Sequence, residues 1–231
     1  RSPSRGLGDV YKRQTFFRMC VDFRQVNEKT RADVFPLPRI DDLIDSIERG
    51  TRHFSIGDIE AAFHRVAMRE EHRKYTGFKT DRGHWQYTVM PFGGKTCANK
   101  WARIVAKCFK DVPQMWLKVY QDDTMNTSRT FVRHWRTQQL TYDTLRENQF
   151  QFKASKLKIN FPQVRFLGHI VTEDHRFPGP ESVAVILELE EPKDVRGVRM
   201  FLGSTLYYRE YIDGFATLAA PLHAMTKKGL D

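Results

Sequence analysis

Apolar and polar positions along this chain separate strand-like from helix-like stretches. Ile40, Leu43, Ile44 and Ile47 fall at i, i+3, i+4 and i+7, the stripe of an amphipathic helix. Pro36 and Pro38 precede it and suit a helix start rather than a central strand. "FFRMCVDFRQVN" alternates loosely and predicts an extended segment. The residues from His53 to about Asp58 predict a strand, followed by a short helical or irregular stretch. "YTGFKTDRGHWQYTVM" predicts a hairpin turning at "TDRG", closed by Pro91 and two glycines. "TCANKWARIVAKCFKDV" predicts a helix, and "WLKVYQDDTMNTS" a hairpin turning near Asp122 and Asp123. The run from Val132 to Phe150 predicts a helix with Val132, Trp135, Tyr142 and Leu145 on one stripe. "VRFLGHIVT" predicts a strand, and the stretches from Pro192 to Phe215 and from Leu218 to Lys228 predict helical tails. Strands and helices mix without a βαβ rhythm, which points to an α+β fold.

Length and composition narrow the class. A chain of 231 residues can bury enough apolar surface to fold without disulfides. Cys20, Cys97 and Cys108 show no paired spacing and suit a reducing compartment. No run of 18 apolar residues predicts a membrane span. The first fourteen residues, "RSPSRGLGDVYKRQ", lack periodicity and read as an adaptor-like segment outside the fold. They carry a surplus of three positive charges, so the remainder keeps +7 of the total +10. A basic domain of this kind suits a polyanionic partner, nucleic acid above all.

Two Asp-Asp pairs compete for attention. Asp41 and Asp42 sit in the first turn of a predicted helix, where acidic residues meet the positive end of the helix dipole. Asp122 and Asp123 lie in a hairpin, and Asp58 ends a separate strand. Carboxylates from different segments are what a two-metal phosphoryl-transfer site requires. Aspartate is also simply common in turns, so the spacing alone leaves both readings open.

The order of motifs carries more. "FRMCVDFRQVN", "FPLPRIDDLID", "FSIGDIEAAFHRV", "VMPFG", "VYQDD", "FLGHIVT", "VRMFLGSTLYYREYI" and "AAPLHAM" occur in this sequence. Together they resemble the reverse transcriptase of gypsy-like LTR retrotransposons, from about Thr15 to the C-terminus. The resemblance implies a right-hand polymerase fold: a palm of antiparallel sheet backed by helices, partial fingers and a partial thumb. It places fingers at residues 15–31 and 66–106, palm at 32–65 and 107–173, and the thumb or connection start at 174–231. It implies an RNA-directed DNA polymerase that adds deoxynucleotides to a primer 3′-hydroxyl on an RNA or DNA template, with two magnesium ions, or manganese in their place. Asp58 matches the first catalytic aspartate, and Tyr120, Asp122 and Asp123 match the Tyr-x-Asp-Asp box. Asp58 and Asp122 would be the main metal ligands, and Asp123 would shape the site. Phe63 matches the ring beneath the incoming sugar, Arg18 a residue gripping the triphosphate, and Lys156 a donor to the leaving pyrophosphate. Phe166, Leu167 and Gly168 match the hairpin that holds the primer end, while Arg24 and Asn27 match the same finger segment as Arg18, serving the template or local structure. The family implies ribonuclease H and integrase domains in a parent polyprotein, and work in cytoplasmic particles, with nuclear access, rather than secretion.

The chain also departs from the pattern. Ala98 stands at the family's proline, Ala102 at its nucleotide-contacting glutamine, and Gly94 at a leucine-like position. A lysine-bearing finger strand before Arg18 is missing, and the sequence ends where the family continues toward ribonuclease H. These changes raise an alternative, a catalytically weak or inactive nucleic-acid-binding remnant. A metal-dependent nuclease with three carboxylates would account for none of the flanking motifs.

Overall fold

The computed structural model describes residues 20–227. The adaptor-like segment and Arg18 lie outside the described residues. Strands in chain order are β1 (His53–Asp58), β2 (Phe78–Thr80), β3 (Gly83–Trp85), β4 (Leu117–Tyr120), β5 (Asp123–Ser128), β6 (Lys158–Phe161), β7 (Val164–Phe166), β8 (His169–Val171) and β9 (Arg176–Pro178). Helices are α1 (Arg24–Lys29), α2 (Ile40–Asp45), α3 (Glu70–Arg73), α4 (Cys97–Cys108), α5 (Phe131–Glu147), α6 (Pro180–Leu187), α7 (Val195–Leu206) and α8 (Phe215–Met225). The chain divides into two units, residues 1–35 with 61–101, and residues 36–60 with 102–231. Among the described residues no helix is long and apolar enough to cross a membrane.

In the first unit the sequence predicts an extended segment where α1 forms. The Asp22 carboxylate accepts from the Arg24 backbone N–H at 3.0 Å, a local side-chain bond that starts a turn. Asn27 of α1 then holds the loop after "MPFG": its Nδ2 donates to the Gly93 carbonyl at 2.9 Å and its Oδ1 accepts from Lys95 N–H at 2.7 Å. The β2–β3 hairpin forms as expected but is shorter. β3 stops at Trp85, because Tyr87 N–H donates to Thr76 Oγ1 at 2.9 Å instead of to a ladder.

The second unit is built on a four-stranded antiparallel sheet in the order β4-β5-β1-β6. β1 pairs with β5 without a break, from His53 opposite Ser128 to Asp58 opposite Asp123. The two faces of this sheet are packed by different chemistry. On one, Phe54 and Met125 join Val164, Phe166 and Val171 in an apolar core, covered by the small sheet β7-β8-β9. "VRFLGHIVT" is thus a hairpin rather than one strand. Leu167 and Gly168 take φ values of 48° and 83°, the left-handed pair that closes a two-residue turn.

On the other face lies α5, and its buried side is not the predicted apolar stripe. Val132 and Trp135 are 62% and 55% exposed. The buried positions are His134, Thr137, Gln138, Thr141, Thr144 and Leu145. Ser55 Oγ and His134 Nε2 share a 2.7 Å hydrogen bond, and Asn126 Nδ2 donates to Thr141 Oγ1 at 2.8 Å. The sheet offers hydroxyls and an amide on this face, and buried polar groups persist where they find partners. Burial, with the neighbouring His53, lowers the His134 pKa to about 4, so the ring is neutral at physiological pH.

Gly57, next to Asp58, is pinned from this side. A Cβ there would come 2.7 Å from the Phe152 ring. Gly57→Ala is therefore expected to destabilise the fold by about 1–3 kcal/mol through overpacking, read from the urea midpoint. Adding Phe152→Leu to Gly57→Ala should recover part of that loss, since touching residues couple. Additive losses would rule out the clash as the cause.

Candidate active site

Asp58 closes β1, Asp123 opens β5, and the register makes them direct partners. Tyr120, the last residue of β4, pairs with Asp123 from the opposite side. Only Gln121 and Asp122 lie between them, so β4 and β5 are joined by a two-residue turn. Gln121 takes a φ of 57°, a left-handed conformation that costs a residue with a Cβ about 1–2 kcal/mol. That strain is what lets the hairpin turn tightly enough to carry Asp122 at its tip. The Asp122 carbonyl accepts from Ile59 N–H at 2.8 Å, tying the tip to the residue after Asp58. The turn expected near both aspartates holds Asp122, and Asp123 belongs to the strand.

The charges are arranged unevenly. Burial raises the pKa of the half-buried Asp123 carboxyl; the Asp122 and Asp58 carboxylates raise it further, and Lys156 opposes them. Lys156 ends a short turn, Ala154–Lys156, and brings its Nζ to 2.5 Å from Asp58 Oδ2. That hydrogen bond holds the ammonium pKa above its usual value. Lys153 N–H donates to the Asp58 carbonyl at 2.8 Å, seating the turn beside β1. A cavity of about 650 Å³ opens here, lined by Asp58, Asp123, Lys156, Arg165, Leu167 and Gly168 among others. The fold thus gathers Asp58, Asp122, Asp123, Tyr120, Lys156 and the Phe166–Gly168 hairpin in one unit.

Phe63 belongs to the first unit, with its ring edge-on to Phe92 at 5.2 Å and 6.3 Å from Trp101. Arg24 is engaged with Asp22 at 2.6 Å. Ala102 is buried. A Cβ on Gly94 would meet Cys97 Sγ at 2.6 Å, so the glycine accompanies the cysteine. Sequence reasoning missed Gln121, whose strain no pattern announces, and Arg165, a strand arginine two residues before the hairpin turn.

Among the described residues no three His, Cys, Asp or Glu side chains are arranged to enclose a metal ion by themselves. The donors present are nonetheless hard carboxylate oxygens, which suit magnesium. That ion keeps several waters and takes only one or two carboxylates together with substrate phosphates. Burial, and after it the Asp122 and Asp58 carboxylates, raise the Asp123 pKa, and a cation held there would relieve the repulsion among the three carboxylates.

A family model described as reverse transcriptase (RNA-dependent DNA polymerase) matches residues 10–171. The chain belongs to the reverse transcriptase family. It is 31% identical over 212 residues to the retrovirus-related Pol polyprotein from transposon 297 of Drosophila melanogaster, covering 92% of this chain and 20% of that one. It is 30% identical over 214 residues to the corresponding polyprotein from transposon 412 of the same organism, covering 93% of this chain and 17% of that one. A Tf2-3 transposon polyprotein of Schizosaccharomyces pombe is 26% identical over 219 residues, covering 95% of this chain and 16% of that one. The chain therefore spans about a fifth of the length of the curated relatives it matches. These relatives agree with the LTR-retrotransposon resemblance of the motifs. Among solved structures, a foamy viral protease-reverse transcriptase in complex with double-stranded DNA superposes with a TM-score of 0.83 at 20% identity, covering 90% of this chain and 36% of that one. A foamy viral protease-reverse transcriptase in complex with an RNA/DNA hybrid superposes at 0.77, again at 20% identity, covering 90% and 28%. The fold is that of the reverse transcriptases, the right-hand polymerase class read from the sequence. Divalent metals are general in this family.

One consequence of the site's electrostatics is measurable without substrate. The folded pKa of Asp123 lies above the 3.8 of a free aspartate. The resulting penalty is absent below pH 3.8 and complete once the pH exceeds the folded value. Asp123→Asn is therefore expected to be more stable than the parent chain in urea melts at neutral pH, with the gap closing as the pH falls toward 3.8. A variant no more stable than the parent at neutral pH would contradict this.

Proposed function

We propose that this chain is the polymerase portion of a retrotransposon Pol polyprotein, transferring deoxynucleotides to a primer 3′-hydroxyl along an RNA or DNA template. The observation that carries the reading is the pairing of Asp58 with Asp123 beside a strained hairpin tip bearing Asp122, in a chain of this family. Residues 15–31 and 66–106 act as fingers, 32–65 and 107–173 as palm, and 174–231 as the start of a thumb or connection. Asp58 and Asp122 hold two magnesium ions, with manganese able to replace them, and Asp123 sets the local charge. Ions bound there would neutralise the charge that builds on the transferring phosphoryl group. Lys156 orients Asp58 through its 2.5 Å bond and stays protonated, the state required to donate to the leaving pyrophosphate. Tyr120 flanks Asp123 and fixes the start of β5. On the resemblance of their motifs, Arg18 grips the triphosphate and Phe63 lies beneath the incoming sugar. The net charge of +10 suits a nucleic-acid partner held mainly through phosphates. Two solved structures of similar fold are complexes with duplex DNA and with an RNA/DNA hybrid, the partner class proposed here. Ribonuclease H and integrase functions would belong to the remainder of the polyprotein.

Primer extension on an RNA template with magnesium tests this directly. The parent chain is expected to extend, less so as salt rises, and Asp58→Asn or Asp122→Asn to fall by about a hundred- to a thousandfold. Undiminished extension by Asp122→Asn would end the reading. Salt-sensitive binding of primer–template by a parent chain that never extends would mark a binding remnant instead. Phe63→Ala is expected to raise ribonucleotide relative to deoxyribonucleotide incorporation by about 10–100-fold. An unchanged ratio would remove Phe63 from sugar selection.

A further inference from the structure

The turn at Leu167–Gly168 is held in place more firmly than a surface hairpin requires. Leu167 has a φ of 48°, which a leucine keeps only where its surroundings over-determine it. Both turn carbonyls are engaged. His169 Nδ1 donates to the Leu167 carbonyl at 3.1 Å, which fixes the proton on that nitrogen. The Gly168 carbonyl accepts from Gly179 N–H at 2.8 Å. The approach there is so close that a Cβ on Gly179 would come 2.8 Å from the same oxygen. His169 itself is 3% exposed and is surrounded by Tyr207, Tyr208 and Tyr211, with ring centroids at 5.5, 6.4 and 6.0 Å. The Tyr207 hydroxyl also lies 3.4 Å from the Leu167 carbonyl. Those tyrosines follow α7 and are tied back by Arg176 of β9, whose guanidinium bonds Glu210 at 2.6 Å and also pairs with Asp45 of α2. The same turn lines the cavity that holds Asp58 and Asp123.

We propose that His169 is a positioning residue. Clamped among the three tyrosines and donating to the Leu167 carbonyl, it sets the Leu167–Gly168 turn at the carboxylate cavity and thereby the position of the primer end. This rests on the polymerase reading above. It adds to that reading a link from the residues after α7, through one imidazole, to the reacting 3′-hydroxyl. The link acts through backbone geometry, so it governs alignment of the terminus more than grip on the duplex.

The test compares the parent chain with His169→Phe, which keeps a flat ring but loses the donor, and His169→Asn, whose shorter amide keeps one. Extension kinetics are read beside the fluorescence of 2-aminopurine at the primer 3′ end, with the same probe inside the duplex as control. His169→Phe is expected to lower kcat by about five- to tenfold, the scale of one lost hydrogen bond and a misplaced nucleophile. Its Kd for primer–template should stay within about twofold, since phosphate contacts dominate that affinity. The terminal probe should change, the internal probe should not, and His169→Asn should restore much of the loss. A parent-like His169→Phe, an equally impaired His169→Asn, or a loss that merely follows a lowered Tm would overturn the proposal. If His169→Phe does not fold, Tyr207→Leu, at a position 42% exposed, is judged by the same measures. A parent chain that never extends, yet whose terminal probe responds and loses that response in His169→Phe, would sink the polymerase reading and leave the positioning role standing. A parent chain that neither extends nor moves the probe would sink both.

Discussion

The antiparallel ladder between β1 and β5 is the constraint on which the rest of the second unit depends. Its rungs run from His53 opposite Ser128 to Asp58 opposite Asp123. Side chains alternate faces along a strand, so a slip of one residue would send every side chain of β1 to the other side. Phe54 and Ile56 would leave the apolar core, and Asp58 would turn away from the cavity toward α5. The candidate site is therefore a product of register: two acidic residues, far apart in sequence, are neighbours because the five rungs before them are correct.

Two kinds of packing hold that register, and they divide the work. The apolar face, Phe54 and Met125 against Val164, Phe166 and Val171, supplies burial, which is favourable but tolerant of small shifts. The opposite face supplies discrimination. Ser55 bonds His134, and Asn126 bonds Thr141. A shifted register would break these bonds and strand polar groups in the interior, which costs more than the bonds themselves contribute. The polar interior of α5 thus acts as a key for strand alignment.

The site that results is not arranged for stability. Gln121 is strained, Asp123 is pressed toward protonation by burial and by two neighbouring carboxylates, and Lys156 offsets only part of that charge. Such features persist where the surrounding structure is strong enough to impose them and where chemistry makes use of them. Here the surrounding structure is the ladder, the Phe152 ring against Gly57 and the bond from Ile59 to the Asp122 carbonyl. The Leu167–Gly168 turn also lines the cavity and is itself held from the residues after α7.

Local pattern made several of these elements legible in the sequence. Strand β1 spans the residues its apolar pattern indicated, α4 lies within its predicted helix, and Asp41 and Asp42 occupy the first turn of α2. In each case neighbouring residues along the chain carry the reason. The order of the motifs from "FRMCVDFRQVN" to "AAPLHAM" was sufficient to indicate the family. What the pattern misassigned depends on partners distant in sequence. The buried side of α5 is polar because the strands facing it are polar, so Val132 and Trp135 point outward. β3 stops at Trp85 because Thr76 takes the Tyr87 N–H, and "VRFLGHIVT" folds in two because its turn is stabilised from outside itself. The sequence by itself determined which residues could do the chemistry. Only the tertiary structure decided that Asp58, Asp123 and Lys156 share one cavity, because strand register and burial are set by contacts that no local stretch contains.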